Sequence, residues 1–265
     1  MTLKTAWRLG GLSPLELAYR VAGRVGRDEV PARAAGLSYY FLFSLFPLLI
    51  FLTALFGLVS NPHLMDRLMD YAGQVMPGNA AALLRKTLEQ VTAGARGKFV
   101  SLGLLTSLWT ATSGMISLIS ALNKAFETKS PRAWWKRRLV AFGLTLGFSA
   151  AAVGALLLLG FGGPLVQWTL SPLAALVAIG LVYRFGPAGR SGHPILTPGA
   201  VFAVAAWAAA SVGLRLYVGG AATRYNAVYG SIGAVVVLLL WLFLGALTIL
   251  TGAEIDAEIE RAAGV

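Results

Sequence analysis

The sequence has no cysteine, which excludes a disulfide framework, a thiolate metal site and a cysteine nucleophile. Histidine is almost missing as well, with His63 and His193 the only two. Acidic residues number 11 among 265, and none falls inside a long apolar run before Glu254. A hydrolytic metal centre needs converging histidines and carboxylates, and a serine nucleophile needs a base beside it. Neither pattern is present, so no catalytic residue, bound metal or cofactor is expected and the chain does not read as an enzyme. Charged residues of both signs make up only 12% of the chain, too few for the surface of an ordinary soluble domain.

What fills the chain instead is apolar: 57% of it is hydrophobic, gathered in blocks of about twenty residues, the length that crosses a hydrocarbon core of roughly 30 Å. The clearest block is 232–250, with no ionisable side chain. The expected fold is all-α: a polytopic membrane protein with six transmembrane helices and additional amphipathic helices at the interface. The spans are placed at about 35–60, 99–122, 139–161, 166–185, 195–218 and 231–253, making a domain over 35–254. A basic arm (1–34) precedes it, an amphipathic insert (61–98) follows the first span, and a tail (255–265) closes the chain.

Local signals refine this outline. Ser13, Pro14 and Glu16 spell a helix start, with Ser as N-cap, Pro at N1 and Glu at N3. Leu17, Ala18, Val21 and Val25 then share one helical face, with Arg20, Arg24 and Arg27 opposite or flanking it. Such a helix suits either an anionic leaflet or a docking place on the bundle. Pro47 leaves the carbonyl of Phe43 without its donor, so a kink is expected, with Ser44 or a neighbouring helix covering the freed group. In 61–98, Leu64, Leu68, Val75, Leu84 and Leu88 recur with helical period around the Pro77-Gly78-Asn79 break, giving two short surface helices. Gly143, Gly147 and Ala151 form a small-residue ridge of the kind that lets another helix approach closely.

The net charge of +11 flanks the apolar runs rather than forming a separate patch. Six Lys or Arg lie in the arm and six in 123–138, where Trp134 and Trp135 stand among them. That is the composition of a membrane interface, and nucleic acid is not an expected partner. With six spans both termini share a side, and that side carries fourteen Lys or Arg in its connecting segments against six on the other. The positive-inside rule therefore places both termini in the cytoplasm. His63 and His193 then fall on opposite faces of the membrane. No cleavable signal peptide is expected, since a long basic segment without a cleavage-like ending precedes the first apolar run.

Several blocks carry a family resemblance. YNAVYGSIGAVVVLLLWLFL followed by LTGAE, together with RAAGLSYYFLFSLFPLL at 33–49, LNKAFE at 122–127, WWKRRL at 134–139 and PGA at 198–200, resembles the YihY/BrkB family of bacterial inner-membrane proteins. The resemblance keeps its order over most of the chain. It implies a polytopic helical fold and location in the bacterial cytoplasmic (inner) membrane. The family also carries an old ribonuclease label, which the residue inventory above argues against.

Three sets of residues are candidates for a mechanism. Arg215, Arg224, Tyr225, Asn226 and Tyr229 combine guanidinium, phenol and amide donors suited to a phosphate or carboxylate, or to an ordinary interfacial belt. Thr106, Thr110, Ser113, Ser117 and Ser120 fall on one helical face, as footholds along a path or as small residues for packing. Arg33, Lys124 and Glu254 lie near span ends, where an Arg33–Glu254 or Lys124–Glu254 pair would close an inner mouth, as gate or as clamp. These favour a transporter or translocation factor for an anionic, lipid-like substrate. The alternatives are a cation/proton antiporter, which such proteins build around a mid-membrane carboxylate that is missing here, and a non-transporting envelope scaffold. Expected partners are anionic lipid headgroups, with a second copy or an envelope protein as further candidates.

Overall fold

The structure, a computed structural model, describes residues 3–57, 70, 73, 82, 85–86, 100–128, 132–161, 164–189 and 194–264. Every regular element among the described residues is helical. In chain order these are α1 (Leu3–Trp7), a 3₁₀ turn (Leu9–Gly11), α2 (Pro14–Arg27), α3 (Val30–Gly57), α4 (Val100–Ala125), α5 (Trp134–Phe161), α6 (Pro164–Phe185) and α7 (Pro198–Ala262). Apart from a few positions, the 61–98 insert lies outside the described residues.

The start of α2 follows its sequence signal. Ser13 is extended and its Oγ accepts the Glu16 N–H at 3.2 Å. Glu16 does not return the bond; its carboxylate takes Arg20 Nη2 at 2.6 Å instead. Leu17 and Val21 are buried with Ile259 of α7. Of the two readings of this helix, docking on the bundle is the one observed. Asp28 ends α2, and Glu29 adopts a left-handed φ of 52°. That two-residue turn lets α3 restart at Val30, ahead of the expected span start. Helical backbone continues through Pro47. Ser44 Oγ donates to the carbonyls of Tyr40 at 2.8 Å and Phe41 at 3.1 Å, so it does not cover the carbonyl of Phe43.

The 65 residues of α7 would extend about 98 Å as one rod. Yet Thr197 Oγ1 donates to Asp256 Oδ2, 59 positions away, at 2.6 Å. The chain therefore folds back, with Pro198–Val218 and Gly233–Ala262 lying antiparallel. Two glycines permit the close pairing of the arms. A Cβ on Gly199 would overlap the carbonyl oxygen of Gly252, and one on Gly252 would overlap that of Gly199. Farther along, Trp207 and Trp241 lie 5.4 Å apart between centroids, and Trp241 Nε1 donates to Ser211 Oγ at 3.0 Å.

Of the expected small-residue ridge of α5, the side chain of Ala151 lies outside the described residues, and the two glycines behave differently from expectation. Nothing lies within 4 Å of a Cβ built on Gly143 or Gly147. Instead of seating a helix, these glycines floor an open apolar groove of about 490 Å³ against Leu173, Val177 and Leu181 of α6. Small side chains allow close approach; here the neighbour does not use it.

The core gathers at one end of the bundle. Val30, Ala34 and Leu37 of α3 meet Leu118, Ala121, Leu122 and Ala125 of α4, Val182 and Tyr183 of α6, and Ala200, Ala246, Leu250 and Ala253 of α7. Many are alanines, so backbones approach closely, the packing typical of helices that lipid cannot drive together. Among the described residues, two helical segments are long and apolar enough to cross a membrane: Pro198–Val218 and Gly233–Ala262.

Candidate functional site

The packed end carries a charged cap built by four chain segments that are distant in sequence. Arg24 of α2 donates from Nε to Glu258 Oε1 of α7 at 2.9 Å and from Nη1 to Glu127 beyond α4. Arg261, one turn after Glu258, bonds that same carboxylate, lies 3.7 Å from Glu127 Oε1, and donates from Nη2 to the carbonyl of Ala125 at 2.7 Å. Arg132 donates to the carbonyl of Gly186 at 2.6 Å, and Asn123 Oδ1 accepts from the Ala188 N–H at 3.1 Å. The arm, the 123–138 loop, the 186–188 turn and the C-terminal helix end, grouped on one side by the charge count, thus meet at one end.

Glu127 holds a special position. The Thr128 N–H bonds the carbonyl of Asn123 at 2.9 Å and the Glu127 N–H that of Lys124 at 3.0 Å. This is a Schellman close of α4, with Glu127 in the left-handed slot (φ 46°) usually given to glycine. The strain places its carboxylate between two arginines. The Arg24 hydrogen bond, opposed by burial and aided by the charge of Arg261, lowers the Glu127 pKa below the ordinary carboxylate value. Burial works against the charge of Arg24, but Glu127 and then Glu258 outweigh it and raise its pKa.

The three residues of the expected inner mouth are brought to this cap, though not as direct pairs. Arg33 donates from Nε to the carbonyl of Asp28 at 2.8 Å, and Lys124 Nζ lies 3.7 Å from Asp28 Oδ1. Both cations engage Asp28 rather than Glu254. Glu254 is 1% exposed, and its Oε2 has no hydrogen-bond partner. Asp28 is 7% exposed, and its Oδ2 is likewise without one. Asp256, one turn from Gly252, is fully buried and takes the Gly199 N–H at 2.8 Å as well as Thr197, which itself accepts from the Ala200 N–H at 3.2 Å. It closes the N-terminus of the first arm of α7, where orphan donors and the helix dipole favour an anion.

The hydroxyl stripe is partly visible. Ser113 Oγ donates back to the carbonyl of Trp109 at 3.4 Å, and Ser120 Oγ to that of Ile116 at 2.8 Å while accepting from Arg137 Nη1 at 3.4 Å. Ser117 is half-buried on the same helix. The side chains of Thr106 and Thr110 lie outside the described residues, as do those of Arg224, Tyr225, Asn226 and Tyr229. Arg215 is exposed on the first arm of α7.

One further feature was not read from the sequence. Trp109 and Thr112 of α4 and Trp134, Trp135, Arg138, Leu139 and Phe142 of α5 line a groove of about 510 Å³. The Arg138 guanidinium stacks 3.2 Å from the Trp109 ring centroid, and Lys136 lies 5.3 Å from that of Trp135. The WW-K-RR run was the legible part; the approach of Trp109 was not, because no local spacing links it to residue 138.

Comparison with known proteins adds context. The pattern of a family described as "Virulence factor BrkB" matches residues 21–265. A ribonuclease-like protein, YfkH of Bacillus subtilis, is 30% identical over 253 residues, covering 88% of this chain and 91% of the relative. A UPF0761 membrane protein of Xanthomonas campestris pv. campestris (strain B100) is 30% identical over 256 residues. The match covers 88% of this chain but only 58% of that protein, so the chain spans little more than half of its Xanthomonas relative. One of these names mentions ribonuclease and the other a membrane protein. No solved structure matches.

Proposed function

The chain belongs to the BrkB family of membrane proteins, and from that premise we propose that it transports or translocates an anionic, lipid-like substrate across the bacterial inner membrane. The observation that carries the reading is the groove between α4 and α5. Its walls are apolar and aromatic, its volume of about 510 Å³ suits an acyl segment, and Arg138 sits on Trp109 within it. Tryptophans beside arginines suit the headgroup level, where a phosphate meets guanidinium and a chain enters oil. Exposed Trp134 and Trp135 extend that surface.

The same proposal includes six spans with both termini cytoplasmic. It is supported by the basic residues of the arm and the 123–138 loop, which gather at one end of the bundle. A ribonuclease activity has no support from the residue inventory. The cation/proton antiporter reading draws on buried Glu254, whose Oε2 lacks a partner.

The test is reconstitution into liposomes with labelled anionic phospholipid in one leaflet, beside a pH-sensitive dye under sodium or potassium gradients. Lipid movement that Arg138→Gln reduces at least severalfold, without a cation-driven pH change, is the expected result. Cation-driven pH change alone would replace the lipid reading with the antiporter. Silence in both assays, with the protein folded, would leave the scaffold.

A further inference from the structure

The arm meets the bundle by one face of α2, and the opposite face departs from the composition of a solvated helix. Leu15, Tyr19, Ala22 and Gly26 stand at intervals of four, three and four, so they form one stripe. It points away from Leu17 and Val21, which pack with Ile259. All four are exposed, Leu15 and Tyr19 each at 82%. Nothing lies within 4 Å of a Cβ built on Gly26. The solvent side of a surface helix ordinarily carries charged or polar residues. A leucine and a tyrosine side by side there gain only when another surface takes them out of water.

The fold holds the arm in place. Gly10, with a φ of 61°, lies so close to Ile259 that a Cβ there would overlap its carbonyl oxygen. Ala6 is fully buried, and Arg24 is bonded to Glu258 and Glu127. The arm is fastened where the chain leaves its apolar runs. Ile255 and Ile259 lie in the last turns of Gly233–Ala262, a segment able to cross a membrane. Only Asp28 and Glu29 separate α2 from α3, the first expected span. The bare stripe is therefore carried close to a lipid surface.

The charges beside it have the matching sign. Arg20 and Arg27, seven positions apart, border the stripe on one side, and Arg8 stands in the turn before α2; all three are exposed. Arg20 neutralises Glu16 at 2.6 Å. The side chains of Arg8 and Arg27 form no ion pair among the described residues. Arginines beside an apolar, aromatic stripe suit a surface that is oily within and anionic at its rim. Their stems lie along apolar ground while the guanidiniums meet phosphate. A protein partner fits less well. The stripe is one face of a 14-residue helix, about 21 Å by 10 Å, whereas a stable interface buries roughly 800 Å² per partner.

We propose that the outward face of α2 lies on the bilayer surface and binds the phosphates of anionic phospholipids through Arg8 and Arg27, with Leu15 and Tyr19 entering the headgroup layer. The helix is then shared: Leu17 and Val21 belong to the bundle, Leu15 and Tyr19 to lipid. The inference rests on the chain being a membrane protein and not on its transporting anything.

The chain has no cysteine, so Ala22→Cys gives a single site for a fluorophore in the middle of the stripe. The labelled full chain is placed in nanodiscs of equal parts phosphatidylcholine and phosphatidylglycerol, with bromine on the acyl chains of one lipid or the other. Bromine quenches on contact, so the two quenching constants report which lipid lies there. Both lipids should quench, and brominated phosphatidylglycerol about fivefold more strongly, the effect of one guanidinium near an anionic surface. Arg8→Gln and Arg27→Gln together should bring the ratio to about one. Quenching by neither lipid overturns the proposal, and two chains per disc would then put a second copy on this face. Equal quenching by both lipids in the chain with its arginines intact overturns it as well. Gly26→Cys, which also faces open space, repeats the reading should Ala22→Cys fail to fold.

Discussion

Replacing Glu127 separates two effects that the structure superimposes on one residue. Its φ of 46° costs an L-residue about 1–2 kcal/mol, and glycine escapes that cost. Its carboxylate bonds Arg24 and lies beside Arg261, but the side chain is 55% exposed, so these pairs contribute only about 0.5–1 kcal/mol in all after solvent screening. Glu127→Ala keeps the strain and loses the pairs, so it is expected to destabilise by about 1 kcal/mol. Glu127→Gly loses the pairs and relieves the strain, giving a net change of about zero. For a chain of this size the glycine variant should melt about 2–4 °C above the alanine variant. Arg24 remains bonded to Glu258 in both, so the cap persists and the comparison is internal. The assay is thermal unfolding in one detergent, followed by helical circular dichroism. Indistinguishable melting points, or alanine above glycine, would refute the assignment of strain to this position.

Other expectations follow from the same geometry. Gly199→Ala and Gly252→Ala each drive a methyl into facing backbone and should cost about 3 kcal/mol or more. Gly143→Ala and Gly147→Ala, with open space before them, should be neutral or slightly stabilising in the same melting assay. Asp256→Ala strands the Thr197 hydroxyl and Gly199 N–H in a buried site. A loss of about 3 kcal/mol is expected, with Asp256→Asn retaining part of it. Because Glu127 is more acidic than an ordinary carboxylate, its pairing contributes above the unfolded carboxylate range and fades as pH falls through its lowered folded value. The melting difference between wild type and Glu127→Gln should therefore be small and constant near neutral pH, and vanish in acid.

The sequence made short-range matters legible and left long-range ones hidden. Ser13 before Pro14 announced the start of α2 because a cap is a relation over three residues. The gathering of basic segments at one end could be read from charge counts, since topology averages over whole loops. The expected Glu254 pairs with Arg33 and Lys124 went astray through Asp28, an ordinary residue in an ordinary Arg-Asp-Glu run that receives both cations. No local pattern shows that it is buried at the junction of α2 and α3. Likewise the alanine and glycine spacing in α5 was visible, but whether a neighbour fills the notch depends on the tilt of α6. The strain at Glu127 was invisible for the opposite reason: a glycine would have marked the helix end, and the chain has none there.

The cap also sets an order of events during biosynthesis. Arg24 leaves the ribosome before its partner Glu258, which stands 234 positions later, roughly 10–50 s away at ordinary rates of elongation. Until then α2 has no Ile259 to cover Leu17 and Val21, and its apolar face must wait against some other surface. The ionic knot thus joins segments made 234 positions apart, and can be tied only once Glu258 has left the ribosome.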